Sequence, residues 1–396
     1  MKIAYITASF PFGGGETFLI PEIETLKEHV NHIVVIPFFP RGPRRPEWAP
    51  KVPDILVLDE RLISFPVLLA ALRTPIRHPV RTLAAVRSIL KLPLRQFLKN
   101  CAVIPKAMWL VTQIERHGIS HIHAHWAGTS STMAMLASKI SGVSWSFTCH
   151  RWDIYENNLL SLKSNSAQFA RFISRRGMED AVRLGVTQGK AMIVPMGVVG
   201  IHAEGPRKLP ADVPVILCAA NLLEVKGHRY LLEALALLRD EGVLVRLKLA
   251  GDGPLRPELE ALTASLGLVR DVEFLGHLSQ KELFQLYESG SVDLFVLPSV
   301  NLGDGYHEGV PVCLMEAMSF GVPVISTKTG SIEELLDPDL GITVPDKNSG
   351  ALAGAILSLL SDGDRYTQLS REMIRIIRNG WLIENSVKKL VSHMHA

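Results

Sequence analysis

The chain has 396 residues, 47% of them hydrophobic and 20% charged, and a formal net charge of +3. That length is too great for one ordinary core and fits two α/β domains of roughly 180 residues each, while so small a charge does not mark a nucleic-acid binder. Cys101, Cys149, Cys218 and Cys313 are far apart, with no Cys-x-x-Cys pair, and no apolar run approaches the ~20 residues that span a bilayer, so a disulfide framework, a zinc site and an integral membrane protein are not indicated.

Residues 2–9 read as a buried strand with no signal-peptide pattern ahead of it, and a reducing, cytoplasmic setting is expected. The loop Phe12-Gly13-Gly14-Gly15-Glu16 follows, then a helical stretch to about Glu28 and a second strand over Asn31–Ile36. This β–loop–α–β opening begins a doubly wound parallel sheet. Residues 37–54 carry six prolines and read as an irregular loop.

Residues 61–114 differ from the rest. They hold nine basic residues (Arg61, Arg73, Arg77, Arg81, Arg87, Lys91, Arg95, Lys99 and Lys106) and no Asp or Glu, among leucine, isoleucine, valine and phenylalanine. Prolines at 66, 75, 79, 93 and 105 divide the stretch into short helical pieces. Such a surface would press on anionic lipid headgroups, with Arg73, Arg77, Arg81, Arg87, Lys91, Arg95 and Lys99 as the expected membrane-facing residues; solvated helix faces are the plainer alternative.

Strands are expected at His121–His125 and Ser144–Thr148 around a helix from Thr129 to Ile140. His121, His123 and His125 share one strand face, yet no carboxylate or cysteine pattern completes a metal site, so a structural or cleft-lining role is expected. Residues 201–212, rich in Gly and Pro, read as the interdomain linker. Beyond them strands at 214–220, 245–250, 272–275, 293–297 and 322–326 alternate with helices near 228–240, 254–266, 279–289, 311–320 and 351–360, giving a second parallel sheet. Trp381 to Met394 reads as an amphipathic helix with Val387, Leu390, Val391 and Met394 on its apolar side.

The strongest constellation is Glu308-Gly309-Val310-Pro311-Val312-Cys313-Leu314-Met315-Glu316, where a helix begins between two glutamates and Pro311 suits its first position. The N–H groups of such a first turn would bind a pyrophosphate, with one glutamate toward a sugar and the other toward ribose hydroxyls. Asp337-Pro338-Asp339 follows a helix and reads as a turn rather than an Asp-x-Asp metal motif, so no metal dependence is expected.

Glu308-x7-Glu316, preceded by Leu297-Pro298-Ser299 and followed by Gly321-Val322-Pro323-Val324-Ile325, resembles the signature of the family 4 retaining glycosyltransferases. Gly13-Gly14-Gly15-Glu16-Thr17, Val194-Pro195-Met196-Gly197-Val198, Lys226-Gly227, Leu249-Ala250-Gly251-Asp252-Gly253-Pro254 and Val272-Glu273-Phe274-Leu275-Gly276 resemble further landmarks of that family in the same order. The segments Gly14–Phe18 and Thr148–Asp153 look most like members that build bacterial exopolysaccharide or lipopolysaccharide.

The resemblance implies a GT-B fold: two Rossmann-like domains facing across a cleft, residues 1–203 for the acceptor and 204–376 for a nucleotide sugar, with the helix of 377–396 returning to the N-terminal domain. It implies retaining transfer of a hexose from a UDP-sugar, or from GDP-mannose, to a glycan acceptor that is lipid-linked at the inner face of the cytoplasmic membrane, with no cofactor. Lys226, Glu308 and His150 are the implied catalytic residues. Gly14, Gly15, Asn221, Gly309, Val310, Pro311, Val312 and Glu316 would bind the donor, and Glu16 and Asp153 the acceptor. The family usually places arginine where this chain has Asn221, and that departure motivates the alternative of a non-catalytic, nucleotide-sugar-binding scaffold or regulatory subunit. A nucleotide-sugar epimerase on the same fold would share the pyrophosphate site.

Overall fold

The computed structural model describes the chain apart from residues 14, 45–54, 91–93, 211, 304 and 396 and the Arg95 side chain. It divides into two units, Met1–Pro195 with Ile383–Ala396, and Met196–Leu382.

The first unit runs β1 (Lys2–Thr7), α1 (Leu19–His29), β2 (His32–Pro37), β3 (Leu56–Val57), then four helices in succession, α2 (Phe65–Arg77), α3 (Pro79–Arg87), α4 (Leu94–Cys101) and α5 (Ile104–His117). The β/α alternation resumes with β4 (His121–His125), α6 (Thr129–Ser141), β5 (Ser144–Cys149), α7 (Arg151–Glu156), α8 (Leu160–Ser166), β6 (Phe169–Phe172), α9 (Arg175–Arg183) and β7 (Ala191–Ile193). All seven strands are parallel, in the order β3-β2-β1-β4-β5-β6-β7. The central strands are buried on both faces; β1 reads as a continuous apolar run, whereas β4 and β5 alternate apolar residues with buried His, Ser and Thr. One face carries a core that joins β1, β4 and β5 to α2, α5 and α6 through Val67, Ala107, Leu110, Met133 and Trp145.

The second unit is a regular alternation of β8 (Val215–Ala219), α10 (His228–Asp240), β9 (Arg246–Ala250), α11 (Arg256–Ser265), β10 (Val272–Gly276), α12 (Gln280–Glu288), β11 (Leu294–Leu297), α13 (Val312–Ser319), β12 (Val324–Thr327), β13 (Thr343–Val344), α14 (Ser349–Leu360) and α15 (Gly363–Gly380). Its six parallel strands are ordered β10-β9-β8-β11-β12-β13. The last helix, α16 (Ile383–His395), belongs to the first unit, where Ile383, Val387, Leu390, Val391 and Met394 pack with Leu19, Ile23 and Leu26 of α1.

The polar stretch expected to be a linker is strapped to the second unit. His202 and Ala203 donate N–H bonds to the Ser319 carbonyl, and the Arg207 guanidinium bonds the Tyr287 and Val292 carbonyls at 2.7 and 3.0 Å. Backbone hydrogen bonding and one arginine thus replace regular structure there. Asp337-Pro338-Asp339 is a turn, with the Asp337 carboxylate accepting the Asp339 N–H.

Candidate active site

In each sheet the strand order reverses once, between β1 and β4 in the first unit and between β8 and β11 in the second. Loops leaving the carboxyl ends of strands at such a switch point frame a ligand crevice. Most of the expected catalytic, donor and acceptor residues fall on those loops.

In the second unit the loop after β8 forms one 3-10 turn, Glu224–Lys226, before α10. Val300 N–H donates to the Val225 carbonyl at 2.9 Å, tying this loop to the one after β11. Gly227 has φ +66°, and a Cβ there would lie 2.0 Å from the Pro298 carbonyl oxygen, so only glycine lets the strands' ends approach this closely. Across that seam Lys226 Nζ donates to Glu308 Oε1 at 2.5 Å, and Ser299 Oγ donates to the same oxygen at 3.3 Å. Burial opposes the Lys226 charge, but Glu308 outweighs it and holds the pKa above the ordinary lysine value. The ammonium is therefore charged, and among the described residues it meets no second acceptor.

Glu308 is fixed from behind. Its carbonyl accepts from His307 Nδ1 at 2.9 Å and from Ser331 N–H at 3.4 Å. Gly330 (φ +60°) makes room, since a Cβ there would sit 1.9 Å from that carbonyl oxygen. Gly309 and Val310 lead into α13, whose cap is Pro311 (ψ 124°). Proline is thus one position ahead of its expected place, because its extended ψ leaves Val312 as the first helical residue. No side chain caps this turn. Glu316, one turn on, accepts from Gln280 Nε2 at 2.8 Å; burial pushes its carboxyl up to about 7 against that bond. Asn221 is exposed on the loop after β8.

The first unit's switch point is built differently. Glu16 accepts the N–H groups of Ala8, Ser9 and Phe10 at 3.0, 2.6 and 2.6 Å, and the Trp126 indole N–H. Its carboxylate, expected at the acceptor, braces the loop after β1. Gly15 lies on this loop with open space beside it, whereas Gly14 lies outside the described residues. Trp126 adopts φ +90°, unusual for a residue with a side chain, and its N–H bonds the Thr148 carbonyl.

Behind this loop lies a buried chain that the sequence did not reveal. Burial would raise the Glu22 carboxyl, but Arg171 Nη1 at 2.7 Å and Tyr5 Oη at 2.6 Å hold it below its ordinary value. As a carboxylate Glu22 only accepts, so the Tyr5 hydroxyl donates to it and takes a hydrogen from His125 Nδ1 at 2.9 Å. His125 Nε2 is then an acceptor, and His150 Nε2 donates to it at 2.7 Å. The remaining His150 ring nitrogen accepts the Asp153 N–H in a reciprocal cap, in which the Asp153 carboxylate accepts the His150 N–H at 3.0 Å. Burial keeps both rings neutral and lowers His150 to about 3.

Both His150 nitrogens are thus spent within the first unit, and so is one oxygen of Asp153, whose carboxyl burial raises to about 7. His121 and His123 form a ladder of bonds with Ser144, Ser146 and Thr148 on β5. Glu22, His123 and His125 lie close enough to hold a metal ion, but a guanidinium, a phenol and two hydroxyls already occupy their ligand atoms.

The basic stretch divides in two. Arg73, Arg77, Arg81 and Arg87 are exposed, with Arg77 3.6 Å from Glu115 and Arg81 donating to the Ser141 carbonyl at 3.3 Å, and Lys99 is exposed but paired with Glu156. Lys91 and the Arg95 side chain fall outside the described residues. Lys106 is buried instead, its Nζ donating to the Pro37, Phe38 and Glu60 carbonyls at 2.6–2.7 Å, and burial lowers its pKa to about 7.

This architecture is the GT-B fold. A glycosyltransferase from Rickettsia africae matches over 99% of this chain and 97% of its own (TM-score 0.73, 18% identity). HepE from Anabaena, solved in complex with UDP, matches over the whole of both chains (TM-score 0.74, 17% identity). Residues 203–377 match the family described as glycosyl transferases group 1. An Escherichia coli protein named as a colanic acid biosynthesis glycosyltransferase is 36% identical over 173 residues, 43% of this chain and 42% of its own length. The amylovoran biosynthesis glycosyltransferase of Erwinia amylovora is 32% identical over 194 residues, 48% and 47%. The aligned segments thus span less than half of these relatives. The resemblance to bacterial exopolysaccharide glycosyltransferases stands on these matches.

Proposed function

We propose that the chain transfers a hexose, with retention, from a nucleoside-diphosphate sugar to a glycan acceptor in bacterial exopolysaccharide or lipopolysaccharide synthesis. The observation that carries this reading is Lys226, charged and held against Glu308 at the switch point of the second sheet. As the glycosidic bond breaks, negative charge grows on the leaving diphosphate, and a fixed ammonium beside it lowers that barrier. The first turn of α13, from Val312, adds N–H groups aimed at the same anion. These groups meet the diphosphate's charge with protein donors, which favours a metal-independent reaction.

Glu308 binds sugar hydroxyls and Glu316 those of the ribose, as acceptors rather than as the acid and base of a hydrolase. The acceptor hydroxyl attacks from the side the diphosphate leaves, and its proton passes to a phosphate oxygen. His150 serves by position, its ring held by His125 and Asp153. The UDP bound by HepE favours a UDP-sugar, with GDP-mannose as the other candidate. The exposed arginines of α2 and α3 favour peripheral attachment to the inner membrane, where a lipid-linked acceptor lies.

Asn221, exposed where the family carries arginine, favours a second reading as a donor-binding scaffold. Saturation-transfer NMR with a panel of nucleotide sugars, on wild type, Lys226→Ala and Glu316→Ala, tests both. One donor bound by wild type and weakened in both variants, with nucleotide released when acceptor is added, establishes the transferase. Donor binding without turnover, restored by Asn221→Arg, establishes the scaffold, and no binding to any donor overturns both.

A further inference from the structure

The helices of the acid-free stretch show a feature that charge does not explain. On α2 the inner face, Val67, Ala70 and Thr74, is buried. The outer face repeats Phe65, Leu68, Leu72 and Ile76 at helical spacing, and these are 77%, 49%, 70% and 80% exposed. Ile63 before the helix is 80% exposed, as are Val80 (77%) at the start of α3 and Leu94 (72%) at the start of α4. Among the described residues, half of the exposed large hydrophobic residues fall between Ile63 and Leu98. A helix apolar on both faces has one face that its own fold does not cover. Exposed apolar surface gathered in this way marks an interaction site.

What covers it follows from the charge around it. Arg73, Arg77, Arg81 and Arg87 are exposed on the same two helices, and no carboxylate occurs between Arg61 and Ile114. Among the described residues only Arg77 of the four forms an ion pair, with Glu115 just past that span at 3.6 Å. A second copy of this chain fits poorly, because a two-fold contact would set these arginines against their own images. An anionic bilayer suits both features, taking apolar side chains at the acyl boundary and arginines at the phosphates. At 13 residues α2 is about 20 Å long, and no helix among the described residues is long and apolar enough to cross a membrane.

We infer that α2, α3 and the start of α4 form an in-plane wedge that inserts Ile63, Phe65, Leu72, Ile76 and Val80 into the headgroup–acyl boundary of an anionic membrane. The inference rests on the membrane attachment proposed above and deepens it: attachment is by insertion as well as by charge.

The test is co-sedimentation of the purified chain with vesicles of phosphatidylcholine, alone or mixed with phosphatidylglycerol. It is run at low salt and at about 1 M, where the Debye length is about 3 Å. Wild type should bind the anionic vesicles and keep a measurable part of that binding at high salt. Ile76→Glu and Leu72→Glu should each lose tenfold or more at both salts. Arg73→Gln with Arg81→Gln should lose about fivefold per arginine at low salt only. Unchanged melting temperature and nucleotide-sugar binding in the glutamate variants show that they fold. Binding that vanishes at high salt and ignores Ile76→Glu overturns insertion while leaving electrostatic attachment intact. No binding to either vesicle overturns attachment too. A wild-type dimer in light scattering that Ile76→Glu dissolves, without vesicle binding, assigns the face to self-association and overturns the inference.

Discussion

Glu22 in the first unit and Glu308 in the second each hold a cation, but the two pairs are built for different ends. Glu22 and Arg171 are buried at both ends, and Tyr5, Val194 and Pro195 take up other donors and acceptors around them. Glu308 and Lys226 keep 12% and 20% of their side-chain surface open, and the ammonium meets no second acceptor among the described residues. A pair closed on every side has nothing left to offer a ligand and fixes its neighbours. A pair left open on one side still has an ammonium face to offer, which is the role proposed for it above.

Breaking the closed pair should have the largest effect on folding. Glu22→Gln keeps the volume but leaves the Arg171 guanidinium buried without its counter-charge, a change that costs about 3–5 kcal/mol in comparable pairs. Urea unfolding should show that loss. The variant should also free the Tyr5–His125–His150 chain from its anchoring acceptor, so histidine nitrogen NMR should report a second tautomer at His150. A stability loss under 1 kcal/mol with an unchanged His150 spectrum would remove Glu22 from its anchoring role.

Breaking the open pair should do the reverse. Lys226→Ala should lower turnover with the donor found by NMR by about 10²–10³-fold while leaving the unfolding midpoint close to wild type. A drop in stability as large as that of Glu22→Gln would make the pair structural, and the contrast would fail. Gly227→Ala sharpens the same point. The added Cβ meets the Pro298 carbonyl at 2.0 Å in a left-handed conformation, so the seam holding Lys226 against Glu308 must part. We expect about 1–3 kcal/mol of destabilisation together with weaker donor binding, read by melting and by NMR titration.

The proposed open site stood out in the sequence and the closed pair did not, for a physical reason. Lys226-Gly227, Glu308 and Glu316 lie on loops and a helix start between strongly patterned elements, so their chemistry stands out against a regular background. The same regularity set α10 at His228–Asp240, as its apolar period implies. Glu22, Tyr5 and Arg171 meet through sheet order instead: they lie 17 and 149 residues apart in chain separation from Glu22, and no local pattern encodes that. The long helix α15 escaped because polar residues crowd its sequence, although Tyr366, Leu369, Met373, Ile374 and Ile377 mark one buried face. Strand β13 has only two residues and no readable period. The apolar outer face of α2 was present as leucines and isoleucines, but only the structure shows that the opposite face already fills the core.

The smallest expected effect is on pH dependence, where buried histidines of both units, His228 of the second among them, act against the raised carboxyls of Asp153 and Glu316. Burial lowers His150 to about 3 and His121 to about 4 in the first unit, against about 6.5 in an unfolded chain. Below pH 6.5 the unfolded chain binds more protons at these sites, so their contribution to stability is lost as pH falls from about 6.5 toward 4. Glu316 in the second unit has the opposite sign. Its carboxyl, raised to about 7, binds more protons folded than unfolded, so its contribution is full below its unfolded pKa and is lost as pH rises through 7. Asp153, also raised to about 7, opposes the first unit's histidines in the same way. His123 and His125, lowered well below their ordinary range, add to the acid-sensitive side, so the whole chain should weaken on acidification from pH 7 to 5. Glu316→Gln removes one opposing group and should steepen that loss in urea titrations. Donor binding should follow Glu316 rather than stability: a carboxylate accepts both ribose hydroxyls and a carboxylic acid accepts them less well, so wild-type affinity should fall as pH drops below 7, while Glu316→Gln binds weakly with a flat profile. A wild-type affinity flat from pH 8 to 6 would take Glu316 out of the donor site and leave Lys226 and Glu308 to hold it.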